Sequence, residues 1–192
     1  MRSPKAGASK KKRAALTVEI RPEQPQDFHQ IRVVNEYAFG RPNEADLVEA
    51  LRASTDTISL VAVIANRIVG HILFSPVQIE GDETITTVVG LGPMAVLPEH
   101  QRQGIGSQLV RAGLVACRSS GHKVIVVLGH PEYYTRFGFT AADTYGIHYR
   151  PGLAIPAFMV LELQAGSLQD LAGIVRYRPE FEALLGNGDT AV

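Results

Sequence analysis

The chain has 192 residues, of which 45% are hydrophobic and 20% are charged, a composition typical of one soluble globular domain with short extensions. Its apolar runs have the length of strands and are interrupted by glycine or proline, so none approaches the roughly 18 residues of a transmembrane helix, and no membrane partner is expected. The single cysteine, Cys117, excludes an intramolecular disulfide framework and fits a reducing compartment.

The formal net charge is zero, but the charges are unevenly distributed along the chain. Residues 1–15 contain six basic residues and no acidic one, which leaves 13 basic against 19 acidic side chains in the remainder. Such a segment is predicted to be a disordered, solvated tail, and only there would we expect electrostatic contact with nucleic acid. It lacks the apolar stretch of a secretory signal, which predicts that the folded part is cytoplasmic.

The first elements predicted along the chain are a strand and two helices. Residues 16–20 alternate between apolar and polar side chains, as is typical of a strand. In residues 25–39 the apolar side chains recur at helical spacing, and Gly40 ends the pattern. Residues 43–53 predict a shorter helix that Asn43 can cap.

Three consecutive strands are predicted next, at residues 58–66, 68–79 and 85–97. Residues 66–67 and 80–83 have the composition of tight turns. Short turns of this kind indicate hairpins between successive strands.

The second half of the chain predicts a helix that crosses between two strands. Residues 104–120 form an amphipathic helix whose apolar face includes Cys117, so this cysteine is interpreted as a small core side chain rather than a nucleophile. Residues 123–128, KVIVVL, are almost continuously apolar, as expected for a strand that is buried on both faces. A short helix at residues 131–137 and a last strand at residues 157–163 complete the pattern.

The predicted elements follow the order β-α-α-β-β-β-α-β-α-β, with neither a repeat nor an internal linker. This order predicts an α/β fold in a single domain that covers residues 16–165 and follows the basic tail of residues 1–15. Residues 166–192 are predicted to be a C-terminal extension with a short helix around residues 178–185.

A proline interrupts the third of the consecutive strands. Because proline cannot donate to a sheet ladder, Pro93 predicts a β-bulge or an edge position. A bulge would leave backbone groups of Met94, Ala95 and Val96 unpaired, and an extended ligand that contains amides could bond to them like an added strand. The alternative is an ordinary edge strand.

A glycine-containing loop, QRQGIG at residues 101–106, precedes the amphipathic helix. The N-terminus of a helix carries unpaired N–H groups and partial positive charge, and glycines there let those donors converge on an anion. Phosphate is the usual guest, although no Gly-Lys-Ser/Thr of a P-loop follows. A plain loop is the alternative interpretation.

Two adjacent tyrosines follow the buried strand, in HPEYYTRFGF at residues 130–139. Either of them could pack in the core, and Tyr133 is the better candidate for that role. A tyrosine hydroxyl at the end of a strand can instead act as a general acid toward a leaving group.

Together these motifs resemble the GNAT superfamily of acetyl-CoA-dependent N-acetyltransferases. The resemblance is carried by the Q-x-x-G-x-G pattern of residues 101–106 after a bulged strand and by the Y-x-x-x-G-F pattern of residues 134–139. The stretches LGPMAVLPEHQRQGIGSQL and VLGHPEYYTRFGF are similar, more narrowly, to the YhbS-like branch of predicted acetyltransferases. The resemblance covers about residues 16–165 and implies a mixed, V-splayed sheet of six to seven strands flanked by helices, with acetyl-CoA in the cleft.

The resemblance also implies roles for particular residues. Backbone amides of residues 101–107 would hold the pyrophosphate, and residues 94–96 would pair with the pantetheine arm. Gly129 would lie on the other side of the opening between the two splayed strands. Tyr134 stands where the family places the tyrosine that protonates the leaving thiolate. The implied cofactor-binding residues are Met94, Ala95, Val96, Gln101, Arg102, Gln103, Gly104, Ile105, Gly106, Ser107, Gly129 and Tyr134.

The position of a general base differs from that in some family members. They carry a glutamate on the central strand, where this chain has Gly90, which cannot accept a proton. The candidate replacements are His71, Glu44 and Glu36, or a water relay to solvent. His71 has a suitable ordinary pKa, but a strand histidine among apolar residues is more often a hydrogen-bonded core group.

The function that the resemblance implies is transfer of an acetyl group to an amine of a small molecule or a protein by direct attack. A non-catalytic acyl-CoA-binding sensor or scaffold, or transfer to another type of acceptor, is the alternative. No metal is expected, since the histidines lack metal-ligand spacing. The acceptor would bind between the first two helices and residues 140–156, and a monomer or a homodimer is expected.

Overall fold

The hydrophobic patterns produce a sheet with helices packed against it, and a computed structural model describes residues 17–53, 56–150 and 155–181. The helices are α1 (Phe28–Phe39), α2 (Asn43–Arg52), α3 (Ile105–Ser119) and α4 (Pro131–Tyr134). The strands are β1 (Glu19–Pro22), β2 (Ile58–Ile64), β3 (Arg67–Glu80), β4 (Ile85–Val96), β5 (Val124–Leu128), β6 (Thr140–Ala141), β7 (Ile147–His148), β8 (Phe158–Glu162) and β9 (Gly173–Arg176). None of the helices within these ranges is long and apolar enough to cross a bilayer.

The described strands form one mixed sheet with the main order β1-β2-β3-β4-β5-β8-β6. The β1 to β4 pairs are antiparallel, β5 runs parallel to β4, and β8 runs antiparallel to β5. Helix α3 crosses between β4 and β5, as a parallel connection requires. The predicted α/β single-domain fold with a mixed sheet is therefore confirmed.

Three strands that the sequence did not predict enlarge the sheet. Strands β6 and β7 have two residues each, too few to show an alternating pattern. Strand β9 has four residues and lies in the predicted C-terminal extension, where it pairs with residues 78–80 of β3. The basic tail of residues 1–15 and residues 182–185 of the predicted last helix lie outside the described residues.

Tertiary pairing moves some element boundaries. Strand β1 begins at Glu19, because it pairs from there with Val63 of β2. The β2–β3 turn lies at Ala65 and Asn66, whose φ values of 48° and 63° are both left-handed, one residue earlier than predicted. Two successive positive φ values match the twist of a tight hairpin.

Strand β5 separates two hydrophobic clusters. Ile125 and Val127 pack with α1, α2 and α3 on one face, whereas Val124 and Val126 pack with β8, β9 and the following loops on the other. The prediction of a strand buried on both faces is thus confirmed. Cys117 is fully buried on α3, as predicted for a core side chain, and burial raises the pKa of its thiol to about 12.

The predicted bulge of β4 lies at Gly92 and Pro93. Leu91 pairs with Phe74 and Met94 pairs with Ile72, so two residues of β4 oppose one residue of β3. On the other side, β4 pairs with β5 through residues 89–91. Past Leu91 the two parallel strands diverge, and this divergence opens the cleft of the molecule.

Helix α3 approaches the sheet closely because position 113 lacks a side chain. A Cβ on Gly113 would lie 2.2 Å from Cε2 of Phe74, which is fully buried. We expect Gly113→Ala to lower the free energy of unfolding by about 2 kcal/mol, since overpacking of up to about 3 kcal/mol outweighs a helix-propensity gain of about 1 kcal/mol. Urea denaturation measures the change. Val115→Ala, at an exposed position of α3, is the control and should change stability by less than about 0.5 kcal/mol.

Candidate active site

Two hollows meet at the divergence of β4 and β5. The first, called the aromatic cavity, has a volume of about 450 Å³. It is lined by Phe39, Glu44, Leu47, Leu91, Gly92, Pro93, Met94, Gln101, Leu128, Gly129, His130, Tyr133, Tyr134, Tyr149, Tyr177 and Phe181. The second, called the helix groove, has a volume of about 530 Å³ and runs along the start of α3. It is lined by Met94, Val96, His100, Gln101, Arg102, Gly104, Gly106, Ser107, Tyr133 and Arg136.

The loop before α3 is held by its own side chains and by left-handed backbone. Gly104 caps the helix with φ 84°, a conformation that favours glycine, and Arg102 has φ 59°. The Nε2 group of Gln101 donates to the carbonyl of Val96 at 3.0 Å, and that of Gln103 donates to the carbonyl of Glu99 at 3.0 Å. The loop before α3 is therefore held in place, and the unpaired N–H groups of the first turn of α3 lie beside the groove.

Basic side chains give the helix groove the charge that an anion needs. Arg102 and Arg136 line it together with His100, beside the positive end of the α3 dipole. Arg136 and His100 were not among the predicted site residues. Arg136 lies two positions after Tyr134 in the Y-x-x-x-G-F motif, so its proximity to the motif could have indicated it.

Of the 12 predicted cofactor-binding residues, nine line one of the two hollows and three do not. The side chains of Ala95 and Ile105 are buried in the core, and Gln103 turns back to Glu99. The side chains of Ala95, Gln103 and Ile105 therefore do not line either hollow, and the proposed contacts of these residues are those of their backbone groups. Met94, Gln101 and Tyr133 line both hollows, so they mark the junction between them.

Tyr134 is buried in the wall of the aromatic cavity, with 7% of its surface exposed. Its ring packs edge-on against Tyr133 and Phe139, with centroids 5.1 and 5.5 Å away. A Cβ at position 129 would lie 2.4 Å from Cε2 of Tyr134, so Gly129 is what admits the ring. Burial raises the pKa of the Tyr134 phenol, which therefore stays protonated and able to donate at neutral pH.

His71 does not line either hollow, so the structure does not bring this candidate base to the site. It is fully buried beneath α1, where Nδ1 lies 3.2 Å from Nδ2 of Asn35 and Nε2 lies 2.9 Å from Oγ of Ser59. Ser59 donates in turn to Glu23 at 2.6 Å, which makes the Nε2–H tautomer the consistent one. Burial lowers the pKa of His71 to about 4, with a smaller opposing effect from Glu23.

Of the two candidate glutamates, the cavity contains Glu44. This residue is 5% exposed, and its carboxylate accepts hydrogen bonds from Arg41, the shortest at 2.6 Å from Nη2. Glu36 instead pairs with Arg32 at 2.9 Å on the outer face of α1 and does not line the cavity. Glu44 is thus the predicted base that the fold places beside the cleft.

Part of the cavity wall was missed by the sequence predictions. Tyr149 lies in the predicted acceptor segment of residues 140–156, but Tyr177 and Phe181, which complete this wall, follow the tyrosine motif by more than 30 residues and were not predicted. Tyr177 follows β9, whose four residues gave no detectable pattern. Within the described ranges there is no cluster of three or more histidine, cysteine, aspartate or glutamate side chains arranged for a metal ion.

The sequence of this chain is similar to two curated proteins of Escherichia coli K12. It is 35% identical to the uncharacterized N-acetyltransferase YhbS over 165 residues, which are 84% of this chain and 97% of YhbS. It is 40% identical to the uncharacterized N-acetyltransferase YjhQ over 116 residues, or 59% of this chain. That match spans 64% of YjhQ, slightly less than two thirds of its length.

Two solved structures resemble this fold over most of their length. The structure of E. coli YhbS in complex with CoA has a TM-score of 0.80 at 33% identity and covers 90% of this chain and 96% of its own. A GNAT family acetyltransferase from Brucella melitensis in complex with acetyl-CoA has a TM-score of 0.71 at 37% identity and covers 87% of this chain and 99% of its own.

The family assignment rests on sequence and fold together. A family model described as an acetyltransferase (GNAT) domain matches residues 19–142, which run from β1 to just past the tyrosine motif and include β4, the loop before α3 and Tyr134. The cleft is built by a bulged β4, a glycine loop at the start of α3, and a buried tyrosine after β5. The chain therefore belongs to the GNAT acetyltransferase family, and it is an acyltransferase by that membership.

Proposed function

We propose that this chain is an acetyl-CoA-dependent N-acetyltransferase that moves an acetyl group to an amine by direct attack. One observation carries the proposal: a basic groove at a helix N-terminus meets an aromatic cavity beside the free edge of β4. The YhbS and Brucella structures contain CoA and acetyl-CoA, which supports the same cosubstrate here.

The dimensions and chemistry of the two hollows fit the parts of this cosubstrate. The pyrophosphate would lie in the helix groove, against the amides of residues 101–107 and the side chains of Arg102 and Arg136. The pantetheine amides would pair with residues 94–96 along the side of β4 that faces away from β3, with Gly129 across the splay. The thioester would then enter the aromatic cavity beside Tyr134.

The proposed reaction requires three proton transfers. An alkylammonium has an ordinary pKa near 10 and no free electron pair, so it must lose a proton before it attacks. Glu44, in the cavity wall, is the acceptor that we propose, directly or through water. The amine nitrogen bonds to the carbonyl carbon, and the amide of Met94 or Ala95 stabilises the oxyanion. When the C–S bond breaks, the thiolate takes its proton from Tyr134. The nitrogen gives up its second proton, which restores the Tyr134 phenol directly or through water.

The decisive measurement for this proposal is calorimetric titration with acetyl-CoA, followed by a thiol-release assay with a panel of amines and peptides. We expect saturable binding and turnover with at least one amine. Absence of binding at millimolar acetyl-CoA would overturn the proposal. Binding without turnover would support the sensor alternative, which Gly90 favours because it leaves the family's usual base position without a carboxylate. Thiol release that requires an alcohol instead of an amine would support transfer to a hydroxyl acceptor.

The glycine at position 106 leads to a prediction about cosubstrate affinity. A Cβ there would lie 2.7 Å from the hydroxyl of Tyr133 and would push this side chain into the junction of the two hollows. We expect Gly106→Ala to weaken acetyl-CoA binding about tenfold, which is about 1.4 kcal/mol. Calorimetry gives the Kd. The double variant Gly106→Ala/Tyr133→Phe lacks the crowded hydroxyl and should regain affinity, whereas an unchanged Kd in Gly106→Ala would contradict the explanation.

The remaining parts of the assignment stay predictions. We propose that the enzyme is cytoplasmic and acts as a monomer or a homodimer. Contact with nucleic acid through residues 1–15 is testable by its salt dependence, which should disappear when those residues are deleted.

A further inference from the structure

The far wall of the aromatic cavity comes from the part of the chain after residue 142, where the match to the family model ends. The ring of Tyr177 lies 5.8 Å from that of Tyr149 and 5.0 Å from that of Phe181, so the three form one continuous aromatic surface. Strand β9 anchors this surface, since it pairs with β3 just before Tyr177. The surface therefore lies outside the residues that the family model matches.

Tyr177 occupies the space that a side chain at position 90 would need. A Cβ on Gly90 would lie 3.2 Å from Cε1 of Tyr177 and 2.9 Å from Cγ1 of Val77. At the point where some family members carry a glutamate, the ring of Tyr177 therefore takes the space of the side chain. A ligand in the cavity meets an aromatic wall there instead of a carboxylate.

The charges of the cavity favour a cationic ligand over an anionic one. Glu44 is the one acidic residue in its described lining and is paired with Arg41, which lies behind the lining. The lining itself includes neither lysine nor arginine. The faces of tyrosine and phenylalanine rings carry partial negative charge and attract ammonium groups. A carboxylate in the same place would lose its water without gaining a positive partner from the lining, which is costly.

From these contacts we infer that the acceptor is a small primary amine with one positive charge on an apolar body, such as an arylalkylamine, recognised by Tyr149, Tyr177, Phe181 and Glu44. The inference rests on the proposed acetyltransferase function and specifies its substrate class. The cavity of about 450 Å³ must also admit the thioester end of the cosubstrate, which leaves room for a small molecule. The transferred acetyl group ends on the nitrogen and the displaced sulfur takes the Tyr134 proton. One ammonium proton passes to Glu44 or solvent, and the second restores Tyr134.

The first test compares ligands of matched shape. We expect kcat/KM for 2-phenylethylamine to exceed that for phenylalanine at least a hundredfold, because phenylalanine adds a carboxylate to the same body. Spermidine, which carries more than one charge, and a lysine-containing peptide should both be poorer acceptors than 2-phenylethylamine. A preference for phenylalanine, spermidine or the peptide would overturn the inference, and so would the absence of turnover with every amine tested.

The second test locates recognition on the aromatic wall. Tyr177→Ala and Tyr177→Leu should each raise KM for 2-phenylethylamine about tenfold while the Kd of acetyl-CoA stays unchanged. The leucine variant keeps much of the packing volume, so it separates loss of the ring face from loss of the fold. Tyr37→Ala, on the exposed surface of α1, is the matched control and should leave KM unchanged. An unchanged KM in both Tyr177 variants would contradict the inference.

These tests separate failure of the inference from failure of the proposed function. If acetyl-CoA does not bind, the proposed function fails and the substrate class fails with it. If acetyl-CoA binds and an amine of another class is acetylated, the enzyme assignment stands and the inference alone is overturned.

Discussion

Replacing Tyr134 with phenylalanine is expected to lower kcat by about 100- to 10,000-fold, the usual range for a lost general acid, while the Kd of acetyl-CoA stays the same. The phenylalanine ring can keep the edge-on contacts with Tyr133 and Phe139 and the position against Gly129. What the variant removes is the proton that the departing thiolate would take. Because burial raises the pKa of the phenol, that proton is present throughout the neutral pH range.

Steady-state kinetics and calorimetry on the same preparations measure the two quantities. Tyr145→Phe removes a hydroxyl from an exposed tyrosine and is the control, with kcat expected to match that of the parent chain. A Tyr134→Phe variant with the parent kcat would show that another group protonates the thiolate. If kcat falls and the Kd rises together, Tyr134 serves binding as well as chemistry.

The stability of the protein is expected to fall by up to about 3 kcal/mol between pH 7 and pH 4 because of His71 alone. The ordinary pKa of a histidine in the unfolded chain is about 6.5, whereas burial lowers that of His71 in the folded chain to about 4. Below pH 6.5 the unfolded chain therefore binds a proton that the folded chain does not. The contribution is complete above pH 6.5 and is lost as the pH falls toward 4.

Urea denaturation at several pH values between 7 and 4 measures this dependence, and an NMR titration of the imidazole gives the folded pKa directly. His71→Asn should be less stable than the parent at pH 7 and should show a shallower decline toward pH 4. His29→Asn removes an exposed histidine from α1 and is the control, with a decline equal to that of the parent. An imidazole that titrates near pH 6.5 in the folded protein would contradict the prediction.

The position of His71 could not be predicted from its residue type alone. As a histidine on a strand near the bulged β4, His71 had a suitable ordinary pKa for a base. Its structural role is decided by Asn35 and Ser59, which lie on other elements and form hydrogen bonds with the two ring nitrogens. Those contacts join residues 36 and 12 positions apart in sequence, so no local pattern could reveal them.

The local elements and the cosubstrate motifs were determined by the sequence itself. Helices α1 to α3 and strands β2 to β5 follow from periodic apolar side chains, and the bulge follows from one proline that cannot donate. The Q-x-x-G-x-G loop and the tyrosine motif also act through short-range geometry, so their spacing was enough to identify the family. Interactions within a few residues are readable from a single chain because the backbone itself fixes their geometry.

The acceptor side was decided by tertiary structure. Tyr177 reaches the space beside Gly90 because the four residues of β9 pair with β3 across nearly a hundred positions of sequence. Glu44 rather than Glu36 lines the cavity because of how α1 and α2 pack. Such placements depend on many packing contacts between residues far apart in sequence. They also depend on strands that are too short to show an alternating hydrophobic pattern. The sequence thus predicted the proposed cosubstrate half of the site and residues 140–156 of the proposed acceptor side, and only the folded chain showed that Tyr177 and Phe181 join Tyr149 in one aromatic wall.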